Sequence, residues 1–191
     1  MTVEADFEDV IGEGLKLFRK QYVAIIIAMI IAAFGSIFII TAPPLFFGLY
    51  LMGVKMAKGE TVEVKDVFRG FDYFLVSWVL VIVAAITIMI GFIFFVIPGI
   101  LLIILFQYAI PIAISEKLGA IDSLKKSYRI GRDNFWFTVI LAIALWIIKA
   151  AGGAIVVGGL ITFPFSIVCL CVATLRLTKG KKDKRENKMA E

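Results

Sequence analysis

Charge-free runs and polar segments alternate along the chain. Four runs hold no Asp, Glu, Lys, Arg or His: residues 22–54, 73–115, 135–148 and 150–175, of 33, 43, 14 and 26 residues. A bilayer core takes about 20 apolar residues per helix, within a range of about 17–25. The second run therefore accommodates two spans and a tight turn. The last two, interrupted by Lys149, accommodate two more. The first is short for two, so Lys55 and Lys58 must lay their stems along its second helix and lift their ammonium groups into the headgroups. The pattern predicts an all-α polytopic bundle of six transmembrane helices in three hairpins. The first hairpin is its weakest part, and whether it crosses fully stays open.

Prolines punctuate these runs. Pro43-Pro44, Pro98-Gly99 and Pro164 are each expected to open a returning helix, because a proline in the first turn lacks an N–H that would have no partner anyway. Pro111 lies deeper in the fourth span and predicts a kink.

The polar segments 1–21, 55–72, 116–134 and 176–191 contain all 15 acidic residues and all the Lys and Arg except Lys149. Short apolar turns leave every polar segment on one side, and their excess of Lys and Arg makes that side cytoplasmic. The expected location is thus the cell membrane, multi-pass, with both termini in the cytoplasm. Tyr22, Phe71, Tyr73, Phe74, Trp78, Phe135, Trp136 and Phe137 cluster at segment boundaries, as an interfacial aromatic belt does.

Three polar segments carry helical apolar spacing: Phe7, Val10, Ile11, Leu15 and Phe18; Val64, Val67, Phe68 and Phe71; Ile121, Leu124 and Tyr128. These predict amphipathic helices in the cytoplasmic headgroup plane. Each is followed by a span, a turn and a returning span ending at Lys58-Gly59, Glu116-Lys117-Leu118-Gly119 or Lys179-Gly180. One supersecondary unit thus reads three times within a single membrane domain of residues 1–178, over 7–59, 64–119 and 120–180. Residues 179–191 read as a basic, disordered cytoplasmic tail.

Composition sharpens the class. The chain of 191 residues is 61% hydrophobic and 18% charged, with a mean hydropathy of +1.00, whereas soluble domains run at about 45–50% and 25%. Cys169 and Cys171, two apart in an apolar run, point to different helix faces and predict neither disulfide nor zinc site. Asp, Glu and His are missing from the apolar runs, so no general base, metal ligand or proton relay is expected inside the bilayer. An enzyme is not expected, and no cofactor is implied.

Lys149 is the one ionisable group within a span. It either snorkels to the outer headgroups or lines a cavity as a substrate or pore residue. Gln107 and Tyr108 are the next most polar embedded residues, and interhelical hydrogen bonding accounts for them. Small residues at Ala24, Ala28, Ala32 and Ser36 predict close helix packing, as do Ala150, Ala154 and Gly158 unless Gly152-Gly153 breaks that helix. The concentrated basic faces are Lys125, Lys126, Arg129 and Arg132, then Lys181, Lys182, Lys184 and Arg185 in the tail. They read as contacts with anionic membrane lipids, each worth about 1 kcal/mol near the surface. A cytoplasmic or membrane protein partner is compatible with the same faces, and the small-residue stripes suit packing within the monomer or across a homo-oligomer. Nucleic acid is not expected, because the tail has no aromatic to stack a base.

Several short motifs resemble a broad family of prokaryotic six-helix membrane proteins: 14–18 (GLKLF), 44–49 (PLFFGL), 67–71 (VFRGF), 97–100 (IPGI), 120–127 (AIDSLKKS) and 134–136 (NFW). The family includes the membrane domain that precedes some bacterial glycerophosphodiester phosphodiesterases. The resemblance covers roughly residues 8–178 and implies six spans. No phosphodiesterase domain accompanies it here, so it implies no such activity. The expected role is non-enzymatic, organising lipids or partners through the basic face. A small-solute or lipid transporter using Lys149 and Gln107-Tyr108 is the alternative.

Overall fold

The computed structural model describes the backbone of residues 7–35, 39–153 and 156–190, with side chains in those ranges except at 33–35, 39, 153, 156–157 and 181–190. The described residues form helices and no strand: α1 (Phe7–Gly35), α2 (Ala42–Ala57), a 3-10 helix (Val64–Tyr73), α3 (Phe74–Phe94), α4 (Val96–Phe106), α5 (Ala109–Glu116), α6 (Ala120–Asp133), α7 (Phe135–Gly153) and α8 (Val156–Ala190). Four helical stretches are long and apolar enough to cross a membrane: Val64–Phe94, Val96–Glu116, Phe135–Gly152 and Gly158–Gly180. α2 is apolar but shorter. α1 changes direction at Gln21, whose φ of −138° leaves the helical range, so its polar first half and apolar second half are separate helices in effect.

The proline expectations divide. Pro43 and Pro44 open α2, and Pro98 lies in the first turn of α4. The α4–α5 span is interrupted at Gln107-Tyr108, where Pro111 has no N–H to offer the Gln107 carbonyl. Pro164 is a correction, because it lies inside α8 and does not open it. α7 ends instead at Gly153, the second residue of the glycine pair. There α7 and α8 pack so tightly that a Cβ on Gly158 would lie 2.5 Å from the Gly152 carbonyl oxygen. The stripe Ala150–Ala154–Gly158 therefore does not run along one helix, and Ala154 lies outside the described residues. α8 runs on through Ala190.

α2 is the hub. Ten of its sixteen residues are buried, and it packs against α1, the 3-10 helix, α3, α5 and α8. Ala28 and Ala32 of α1 are buried in the same core, as their spacing predicts; Ser36 lies outside the described residues. The second amphipathic segment is helical, as a 3-10 helix, and it packs lengthwise on α2 backbone to backbone. A Cβ on Gly48 would stand 1.8 Å from the Val67 carbonyl oxygen, and one on Gly70 would stand 1.9 Å from that of Pro44. No rotamer change relieves a clash with main chain.

Capping holds this segment in place. Glu63 N–H donates to Asp66 Oδ2 at 3.1 Å, Asp66 N–H donates to the Glu63 carbonyl at 2.9 Å, and Lys55 Nζ pairs with Asp66 Oδ1 at 2.9 Å. Burial alone would raise the Asp66 pKa. The Glu63 N–H and the Lys55 and Arg69 cations outweigh it and hold the carboxyl below its usual value. Lys55 thus ends on a carboxylate where snorkelling was expected.

The amphipathic segments also split their apolar residues. Val10, Phe18, Val67 and Leu124 are buried in the protein, while Leu15, Phe68, Phe71, Ile121 and Tyr128 are exposed. Ties between segments bring polar chain together: Gln21 Nε2 donates to the Glu60 carbonyl at 2.9 Å, and Arg176 Nε donates to Glu13 at 3.0 Å with Asp9 at 3.6 Å from its guanidinium. Val10, Ile112, Ile130 and Leu177 share one apolar cluster.

Gly48→Ala and Gly70→Ala are expected to lower the thermal unfolding midpoint in detergent, each costing at least about 1–3 kcal/mol through overpacking. Gly12→Ala, with open space at its Cβ, is expected to be neutral or stabilising by about 0.5–1 kcal/mol. Equal behaviour of the three would contradict the backbone-to-backbone packing.

Candidate functional site

α6 begins after Lys117, which takes the left-handed conformation at φ 54° and ends α5. Asp122 in its first turn and Arg132 in its last oppose the ends of the helix dipole. Its inner face is pinned to α4: Ser127 Oγ donates to the Leu105 carbonyl at 2.7 Å. Gly131 lies so close that a Cβ there would stand 2.8 Å from Leu105 Cδ2. This docking turns Ile121, Lys125, Tyr128, Arg129 and Arg132 outward, on the i, i+4, i+7 face.

The basic cluster read from sequence is thereby divided. Lys126 turns the other way and pairs with Glu116. Among the described residues neither Lys125 nor Arg129 forms an ion pair, while Arg132 Nε approaches the adjacent Asp133 at 3.8 Å. The outward face roofs a groove of about 620 Å3, floored by Val83 and Thr87 of α3 and Leu102 and Phe106 of α4. Thr87 Oγ1 donates to the Val83 carbonyl at 2.7 Å, which satisfies it within its own helix and leaves the floor apolar. The side chains of Lys181, Lys182, Lys184 and Arg185 lie outside the described residues.

A second cavity, of about 570 Å3, opens between α4, α7 and α8, with Tyr50 of α2 at its edge. It brings together two residues singled out in the sequence, Gln107 and Lys149, with Trp146, Phe163 and Ser166. The Lys149 ammonium stands over the Phe163 ring at 5.8 Å, a contact worth about 0.5–2 kcal/mol. Tyr108 does not join them. It is fully buried and donates to Thr138 Oγ1 at 3.2 Å, and Gln107 Nε2 donates to the Thr138 carbonyl at 3.1 Å. Tyr108 therefore ties the broken span to α7. Tyr50 and Ser166 escaped the sequence reading, because each stands alone between apolar neighbours, unlike Tyr108 beside Gln107.

Among the described residues no three of His, Cys, Asp or Glu gather as metal ligands. Cys169 and Cys171 are free and buried, the first against Gly14 and the second against Gly53. Every buried side-chain nitrogen and oxygen among the described residues has a hydrogen-bond partner.

Architecture and surface together define an all-helical protein with four helices suited to a bilayer, a basic helix face above an apolar groove, and a cavity holding one lysine. Comparison with protein-family models, curated proteins and solved structures yields no match at a significant level.

Proposed function

We propose that this chain is a non-enzymatic, multi-pass protein of the cell membrane that organises anionic lipids, or a protein partner, through a basic cytoplasmic face. In this reading the apolar half of α1 and the short α2 complete six spans in three hairpins, both termini are cytoplasmic, and the chain is a relative of the six-helix family that its motifs resemble. The observation that carries the reading is the outward face of α6. Lys125, Arg129 and Arg132 lie together beside apolar groove residues, and Lys125 and Arg129 have no acidic partner among the described residues. Cations left unpaired next to apolar surface attract the one anion abundant there, the lipid phosphate.

Extraction of the protein with its surrounding lipid in polymer-bounded discs tests the reading. The co-extracted lipid should be richer in anionic headgroups than the bulk membrane, and neutralising Lys125, Arg129 and Arg132 together should reduce the excess. Bulk composition around the wild type, with no reproducible protein partner, would count against it.

The shared cavity of Lys149 and Gln107 favours one second reading, a carrier for a small solute or lipid. An ammonium in an apolar cavity that meets an aromatic ring and, among the described residues, no carboxylate would engage a carboxylate or phosphate. Under that reading, liposomes containing the wild-type protein show flux of an anionic amphiphile and Lys149→Ala lowers it. Unchanged flux in the variant would remove the site, and no flux with the wild type would remove the class.

A further inference from the structure

We propose that the groove beneath α6 holds a single anionic phospholipid, its phosphate gripped by Lys125, Arg129 and Arg132 and an acyl chain laid between α3 and α4. The inference rests on the anionic-surface reading above and goes further, from a general attraction to one site of defined stoichiometry.

Geometry supports the headgroup half. On a helix the three basic positions stand about 6 and 10.5 Å apart along the axis, at 1.5 Å per residue, and long side chains from such positions converge on one tetrahedral group. Two of the three are arginines, whose planar fork matches phosphate oxygens in pairs. Tyr128 lines the same groove and adds a hydroxyl that donates as well as accepts. The rigid docking of α6 through Ser127 and Gly131 fixes these positions before any lipid arrives, which lowers the ordering cost of binding.

The apolar half excludes a free anion as the best occupant. Val83, Thr87, Leu102 and Phe106 carry the groove from the cations onto the surface of two apolar helices. These helices meet closely at Gly91 and Gly99, where a Cβ on Gly91 would be 3.1 Å from Gly99 Cα. The volume of about 620 Å3 falls within the roughly 300–1,000 Å3 typical of ligand sites. Inorganic phosphate would use the cations and leave the floor unfilled, and an acidic peptide would have to bury backbone polar groups against it. A lipid fills both halves at once. The conjunction also explains why Lys126 differs: its charge is spent on Glu116, on the face turned from the groove.

The full chain in phosphatidylcholine nanodiscs with a minor fraction of phosphatidic acid, followed by native mass spectrometry, tests the site. The wild type should retain one phosphatidic acid per protein. Lys125→Gln with Arg129→Gln should weaken retention about thirtyfold, in line with two lost charge contacts at a surface. Thr87→Trp, which blocks the floor and keeps every cation, should abolish the single retained lipid. Lys126→Gln should leave it bound. Circular dichroism and monodisperse elution identify variants that fold. If the wild type retains anionic lipid and Thr87→Trp retains it equally, the groove is not the site, while the anionic-surface reading stands. If the charge variants also retain it, the site lies elsewhere. If the wild type shows no preference for phosphatidic acid, both readings fall. Retention of a peptide in the lipid's place would overturn the lipid as occupant.

Discussion

Hydrocarbon solvates neither an ion nor an unpaired peptide group, and nearly every feature of this chain answers to that one fact. Backbone donors and acceptors can be satisfied inside a helix without help from water, and the described residues build helices with no strand. Charges withdraw to the segments between apolar runs, and within those segments carboxylates such as Asp66, Glu116 and Glu13 meet cations. Large apolar side chains on α3 and α7, including Leu75, Ile93, Trp136 and Trp146, face outward and exposed. In water that surface would be a liability. Against lipid it is the expected exterior.

The same solvent removes the usual reason for helices to associate, since lipid tails are as apolar as leucine. Close approach takes over that role here. Gly48 and Gly70 let the 3-10 helix lie directly on α2, Gly131 lets α6 lie on Leu105, and Gly152 and Gly158 bring α7 against α8. The functional proposal depends on this packing. A basic face becomes a site when its helix is held at a fixed height over an apolar floor, and Ser127 and Gly131 hold it there.

Much of this was legible in the chain. Missing charges located the apolar helices, Pro43-Pro44 and Pro98 located two helix starts, and the four-residue spacing located the buried Ala28 and Ala32 with Ala24 partly buried beside them. Pro164 misled because proline marks a first turn only when the preceding chain turns. Inside an apolar helix, neighbouring helices can serve the carbonyl it frees, and the sequence carries no sign of which case holds. Gly152-Gly153 was the better signal, two residues without Cβ where two helices nearly touch.

The 3-10 segment was illegible for a different reason. Its own Gly70 and the Gly48 of α2 on which it lies belong to different helices, and apolar spacing at i, i+3 suits an α-helix and a 3-10 helix alike. In α6 the division between Lys126 and the trio Lys125, Arg129 and Arg132 follows from helical spacing. The direction each face points does not, because Glu116 and Leu105, which set it, belong to other helices. Gln107 and Lys149 share a cavity for the same kind of reason. Their meeting depends on how α4, α7 and α8 cross, which no local pattern encodes.

Single-cysteine labelling in intact cells tests the central claim most directly, with the buried Cys169 and Cys171 left in place as silent background. Cysteines introduced at Lys65, Lys125 and Arg185 should resist a membrane-impermeant maleimide until the membrane is permeabilised, and then all react. Labelling of any one of them from outside, with the others protected, would place polar segments on opposite surfaces and contradict the account.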